Sequence, residues 1–413
     1  MRAWCRLAGA LLLLVPFTSR LAGEEDTTDW PTVISQLQRT AYERPGAASV
    51  REQLALAYNN YGVSLGNQRQ WELAVQQLQD AIRLDGDNQQ FQSNLGSIYL
   101  NQAYEAYQQH QLIQALRAVD EALKLKPDAA QGFALLGEIQ YDRQQLKEAK
   151  ASWERALELD PSLPQIPQRL AQLRQELPIE SKFERLSQAY FDLRYEEGLE
   201  RPAGFDIRDA LLNARRRVGS DFAYWPKYKI VVLIYSAEQF RALREETPDW
   251  VAGQFDGKIR VPLPSAQLNT AMVTQILFHE YTHALIHDLA KGRCPAWLNE
   301  GLAEYEGRSQ LRGTLPRLSA ALGDNNLMPW VEISDHISTS LPADEVGLAY
   351  EQSYSLVAYL VERFAFWRIR RLLTAIGDNT PWQGALVAEV HTKLPRLEGQ
   401  WRAWLPEFLA RAQ

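Results

Sequence analysis

Only two cysteines, Cys5 and Cys294, occur in the 413 residues. If the N-terminal segment carrying Cys5 is removed, one thiol remains and no intramolecular disulfide can form. The chain must then be held by its hydrophobic cores alone, and its length is enough for two or three of them. A basic excess is missing as well: the formal net charge is −7, which gives no electrostatic reason to expect nucleic acid. Long apolar runs are scarce. The run from Leu7 to Phe17 is about half of the ~20 residues that a membrane span needs, so no stable span is expected. Hydrophobic residues make up 46% and charged residues 23%, a balance that argues against long disorder.

The short apolar run has a different use. Arg2 and Arg6 open it, and the small residues Ala22 and Gly23 stand before Glu24-Glu25-Asp26. This is the layout of an export signal over residues 1–23. Its removal predicts an extracytoplasmic protein, periplasmic or secreted; if retained, the same segment would tether the protein to a membrane. Leu21-Ala22-Gly23 looks like the start of a lipoprotein processing site, but Glu24 holds the place of the lipidated cysteine. No lipid is predicted.

Small and apolar residues then recur with a period of about 34 over residues 55–161. Phe133, Leu136, Gly137, Ala149, Trp153, Ala156 and Pro161 form the last unit; Tyr58, Tyr61, Gly62, Ala74, Leu78 and Ala81, with Gly86 in the proline position, form the first. The middle unit ends with Ala115, Val119, Ala122 and Pro127, but its Leu95-Gly96 pair comes about seven residues early. Seven residues are about two helical turns, so the insertion predicts a longer first helix with nearly the same buried face. The pattern resembles the tetratricopeptide-repeat family over roughly a third of the chain. The resemblance implies an all-α solenoid over residues 30–177, with a leading helix at Trp30–Glu43 and a capping helix at Gln165–Leu177. Such arrays present a groove for peptides or partner proteins; the plainer alternative is that the repeats only stabilise or position the domain after them.

Pro178 marks the expected boundary to a second domain, residues 178–413. Tyr190–Tyr195 and Tyr228–Tyr235 read as strands and Asp206–Val218 as an amphipathic helix between them. Residues 253–262 read as a turn leading into a short strand at Lys258–Val261, and Pro262 and Pro264 suggest that this strand lies at an edge. Everything beyond reads as helix: 269–289, 295–308, 311–322, 348–376 and 397–411. Strands first and helices after are an α+β pattern.

Inside the first of these helices lies His279-Glu280-Tyr281-Thr282-His283. Residues i and i+4 share a helix face, so both imidazoles can reach one metal ion. Glu280 stands on the adjoining stripe, where its carboxylate can reach a water held by the metal without binding the metal itself. Downstream, Trp297-Leu-Asn-Glu300-Gly-Leu-Ala-Glu304 comes after Pro295, a residue suited to the first turn of a new helix. Glu300 can swing back to the metal, and Glu304, one turn on, can accept a hydrogen bond from the far nitrogen of a ligand histidine and so fix its ring. A helix with incidental polar groups is the bland alternative, but a core rarely tolerates two histidines and two carboxylates unless they are paired or metal-bound. His287 extends the stripe and reads as a solvated residue, and Cys294 as a buried or capping thiol.

His279-Glu280-x-x-His283 with Asn299-Glu300-Gly-x-Ala-Glu304 resembles the gluzincin metallopeptidases, most of all their bacterial peptidase MA-like domains. The resemblance covers residues 180–411. It implies one Zn²⁺ per chain held by His279, His283 and Glu300, with Glu280 as general base. In aminopeptidases of the clan a Tyr-Glu-Lys-Gly segment supplies a tyrosine to the oxyanion; here Tyr350-Glu351-Gln352-Ser353 stands at the comparable place, which makes Tyr350 the candidate and Tyr354 the reserve. The strand that anchors a substrate's free amine in those enzymes has no counterpart near residues 253–262, which favours endopeptidase action on protein or peptide substrates. The rival reading is a binding or assembly protein whose peptidase domain is inactive or self-inhibited.

Overall fold

The computed structural model describes residues 28–196, 201–243, 254–263, 270–309, 313–336 and 343–412. The expected export signal at 1–23, and Gly253, Pro264 and Asn269, lie outside them. The chain divides into two bodies between Ser181 and Lys182. Among the described residues no helix is long and apolar enough to cross a membrane.

Residues 30–180 fold entirely as helices. Helix α1 (Trp30–Glu43) precedes three hairpins: α2 (Ala48–Asn67) with α3 (Trp71–Leu84), α4 (Gln89–Gln108) with α5 (Leu112–Leu125), and α6 (Ala130–Asp142) with α7 (Leu146–Leu159). Helix α8 (Ile166–Glu180) closes the array. It runs on through Pro178, past the expected stop at Leu177; a proline in the last turn removes only one terminal hydrogen bond. The glycines act as contact points. A Cβ on Gly62 would stand 2.7 Å from Leu78 Cγ, and one on Gly137 only 2.3 Å from the Trp153 ring. In the middle hairpin Ala103, fully buried, stands as far before Ala115 as Gly62 stands before Ala74.

Helix α4 has 20 residues against 13 in α6, the expected lengthening by two turns. Helix α2 also has 20 residues, which the periodicity did not suggest. Its first turn starts at Ala47, which makes no side-chain capping bond, so no start signal can be read there. Successive units are joined by a recurring polar contact. The Trp71 indole donates to Glu105 (2.9 Å), the Tyr107 hydroxyl to Asp142 (2.8 Å) and the Tyr141 hydroxyl to Glu176 (2.8 Å). Each hairpin also turns on a non-glycine residue with positive φ: Arg69 (58°), His110 (54°) and Gln144 (59°).

The second body is built on a five-stranded mixed sheet in the order β1-β2-β3-β5-β4. Its strands are β1 (Phe183–Ser187), β2 (Phe191–Glu196), β3 (Ile230–Ser236), β4 (Gln254–Phe255) and β5 (Ile259–Leu263). Strands β2, β3 and β5 are parallel, and β1 and β4 are antiparallel to their neighbours. Strand β5 is therefore not the edge that its prolines suggested. The two-residue β4 flanks it, pairing only with Ile259 and Arg260; Pro262 falls beyond that pairing, where its missing N–H costs no bond to β4.

Alternation along the strands sends Phe191, Leu193, Ile230, Val232, Ile234, Ile259 and Val261 to one core. That core is covered by α9 (Arg201–Phe222) and α11 (Thr270–Ala290), with α10 (Ala237–Ala242) following β3. The remaining helices are α12 (Ala296–Arg308), α13 (Pro316–Gly323), α14 (Trp330–His336), α15 (Ala343–Phe364), α16 (Phe366–Gly377), α17 (Trp382–Val390) and α18 (Leu394–Ala412). The helix expected over 348–376 is two helices, broken at Ala365, where φ is 68° and ψ 152°. Strand β1 and helices α10, α14 and α17 are additions that no expected element covers.

Candidate metal centre

Helix α11 carries His279, Glu280 and His283 through the middle of the second body. Leu277, Phe278, Tyr281, Ala284 and Leu285 bury the helix in the core. Its C-terminal end is pinned by Asp288, which accepts hydrogen bonds from the Tyr224 hydroxyl (2.9 Å) and the Tyr228 hydroxyl (2.8 Å). Helix α12 begins just after Pro295, which sits one position earlier than expected, as the N-cap residue. Two glycines let α12 lie close to both neighbours. A Cβ on Gly307 would stand 3.2 Å from the Gln275 carbonyl oxygen and 3.4 Å from His279 Cβ, while one on Gly301 would stand 2.5 Å from the Ser353 carbonyl oxygen on α15.

This packing brings three donors from two helices to one point. His279 Nε2 and His283 Nε2 are 3.1 Å apart, and Glu300 Oε2 lies 3.7 Å and 3.6 Å from them. Donors bound at ~2.0–2.1 Å around a tetrahedral zinc stand roughly 3.3 Å from one another, so the three separations fit that ion. The donor chemistry, two imidazoles and a carboxylate, fits it too. Side-chain exposures of 17%, 11% and 14% leave the three donors largely buried but still within reach of solvent. Glu280 is 3% exposed and comes directly after His279 on the helix.

The far nitrogens of both rings are held. His279 Nδ1 faces Glu304 Oε1 at 3.4 Å, the place expected for Glu304. His283 Nδ1 faces Asn299 Oδ1 at 3.1 Å. That role for Asn299 was missed, although its position next to Glu300 was the available signal. The electrostatics arise from burial and these partners. Burial pulls His283 down to about 3, and the charge on His279 pushes the same way. Burial would lower His279 too, but the Glu304 hydrogen bond and the charges of Glu280, Glu304 and Glu300 raise it to about 9. Burial raises Glu300 to about 7. Burial would likewise raise Glu304, yet its bonds to His279 and Arg308 hold it at about 2.

The two candidate tyrosines part company. The Tyr350 hydroxyl hydrogen-bonds Glu300, and burial drives its own pKa well up. Tyr354, one turn on, lies beside Arg308, Tyr305 and Phe408. Between them, Glu351 accepts from the Leu318 amide (2.8 Å) and Gln352 bonds both the amide and the carbonyl of Met328. These contacts set the rotation of α15 and thereby aim Tyr350. His287 is not brought to the three donors; its ring packs edge-on against Phe255. Cys294 is a half-buried thiol packed against the core.

Two histidines and a carboxylate thus converge within a mixed α+β body. Residues 227–407 match the family model described as the Peptidase MA superfamily. This match, after an array of helical hairpins, fits a tetratricopeptide-type region followed by a peptidase MA-like domain. Among solved structures, the Arabidopsis OM64 TPR domain is 21% identical and covers 30% of this chain and 97% of its own, with a TM-score of 0.23. The first TPR of Spaghetti (RPAP3) bound to HSP90 peptide SRMEEVD is 22% identical and covers 31% and 95%, with a TM-score of 0.24. MamA from Desulfovibrio magneticus is 17% identical and covers 37% and 87%, also with a TM-score of 0.24. A search of curated proteins finds no match.

Proposed function

We propose that the second body is a zinc-dependent endopeptidase acting outside the cytoplasm, and that the repeats bind its protein substrate or a partner. The observation that carries this reading is the convergence of His279, His283 and Glu300 within 4.8 Å of one another, with Glu280 on the adjoining stripe. When bound there, zinc supplies the Lewis acidity that activates water and polarises a carbonyl near neutral pH. The chain's own residues do the rest. Glu304 and Asn299 accept from the Nδ1 side of each ring, which leaves both Nε2 lone pairs aimed at the shared point. Glu280 takes the proton of the attacking water and delivers it to the leaving nitrogen. The Tyr350 hydroxyl, already at the ligand set through Glu300, donates to the oxyanion that develops on the scissile carbonyl. Helix α11 packs against β4 and β5, so a peptide adding to the β4 edge would run beside the ligand helix. Export rests on the basic, apolar and small-residue layout of residues 1–23.

The test combines metal content by mass spectrometry with chelator-sensitive cleavage of casein. His283→Ala should lose stoichiometric zinc, whereas Glu280→Gln should keep the metal and lose hydrolysis. Full activity in Glu280→Gln would sink the catalytic reading even with zinc present. A zinc-loaded wild type that cuts nothing would favour an inactive domain serving a binding protein.

A further inference from the structure

We infer that Arg308 and Tyr354 are a positioning pair that holds Glu304 against His279, so that the C-terminal helix buttresses the metal centre through a chain of contacts; this rests on the zinc-site reading above. The Glu304 carboxylate is divided between two partners. One oxygen faces His279 Nδ1 at 3.4 Å, and the other accepts from Arg308 Nε at 2.7 Å. The Arg308 guanidinium in turn lies over the Tyr354 ring, 5.2 Å from its centroid. Tyr354 is backed by Tyr305 at 6.4 Å and by Phe408 of α18 at 5.8 Å. The contacts pass from α18 through α15 and α12 to the ligand helix α11.

The physical need is orientational. A glutamate side chain has three rotatable bonds, and a single long contact to an imidazole does not fix it. Holding the second oxygen does. An i,i+4 pair at the surface contributes little, because solvent screens it and both side chains lose rotamers. This pair is 18% and 15% exposed, and an aromatic face beneath the guanidinium both orients and desolvates it. Arginine suits the place better than lysine: its planar group can stack on the ring while Nε points along the helix. Sequence reasoning held Tyr354 in reserve for the oxyanion; the contacts give it this other task.

Zinc affinity of the full-length protein, measured by competition with a chromogenic chelator, tests the pair. Arg308→Met should weaken zinc roughly 10-fold, at the low end of the loss seen when outer partners of a ligand are removed. Arg308→Lys should recover part of that loss. In a Glu304→Ala background Arg308→Met should add nothing, since its effect passes through Glu304. Tyr354→Leu, which leaves Glu304 and Arg308 in place, should weaken zinc several-fold and supplies the reading if Arg308→Met fails to fold. Wild-type affinity in both Arg308→Met and Tyr354→Leu overturns the inference, as does an equal loss with and without Glu304. A wild type that binds no zinc at all removes the metal-site reading and this inference with it.

Discussion

At the scale of single residues, the fold gathers side chains that helical spacing had already grouped: His279 and His283 meet Glu300. His279, Glu280 and His283 declare themselves by helical spacing, and Glu300 and Glu304 by sharing one face of the next helix. Asn299 stands beside Glu300 in the sequence, but its task of holding the His283 ring shows only once the fold brings the two together. Tyr350 and Tyr354 were indistinguishable in sequence, being one turn apart on an apolar helix; the rotation of α15 separates them. If the Tyr350 hydroxyl serves the oxyanion, Tyr350→Phe should lower kcat by roughly 10²–10³ with little change in KM. Near-normal kinetics would leave it only its bond to Glu300. Glu306 makes a different prediction. It is fully buried on α12, and burial, reinforced by Asp221 and opposed by Arg217 on α9, raises it from 4.5 to about 8. The folded state therefore keeps a proton that the unfolded chain gives up, so stability falls as pH rises from about 4.5 through 8 and then levels off. Glu306→Gln should remove that slope, and its gain in Tm over the wild type should be larger at pH 9 than at pH 5. A gain independent of pH would refute the assignment.

Among the elements, long periodic helices and β-branched strands were readable, and breaks and short pieces were not. Helix α1 was expected at its observed bounds. The break at Ala365 was invisible because alanine is the best helix former and carries no stop signal; tertiary packing imposes a backbone there that side chains seldom adopt. Strand β4 is two residues long, too short for any pattern. The close approach of α12 to α15 was equally hidden, since one glycine among helical residues does not say what it faces. It yields a prediction. Gly301→Ala places a methyl against the Ser353 carbonyl, a backbone atom that cannot move alone. It should lower Tm by several degrees and weaken zinc, because Glu300 is the preceding residue. Unchanged zinc affinity together with a lower Tm would show that the contact supports the fold but not the ligand.

On the scale of the whole molecule, the order of repeats and then an α+β body was legible from the two periodicities alone. The length of the first repeat was not, because its extra turns precede the recognisable pattern and lack a cap. The division after Ser181 suggests an experiment on delivery. If the repeats deliver the substrate, residues 182–413 alone should cut a short peptide as well as the full chain does, whereas kcat/KM for a native protein substrate should fall, because tethered cargo meets the enzyme at a raised effective concentration. Equal processing of the protein substrate would count against delivery. Loss of even the short-peptide activity would make the repeats structural support.

The recurring contacts between hairpins have a consequence for how such a chain can change length. Tyr107 reaches Asp142 and Tyr141 reaches Glu176 across the same 35-residue interval. The turns at His110 and Gln144 share a positive φ, 54° and 59°. To the unit before it, the capping helix therefore offers the same socket as another repeat. Copying or excising the stretch from Gln109 to Asp142 would bring like against like at the seam, with an aromatic hydroxyl still meeting a carboxylate. The array is thus open to growth and loss by whole units, while the cap and everything C-terminal to it stay the same.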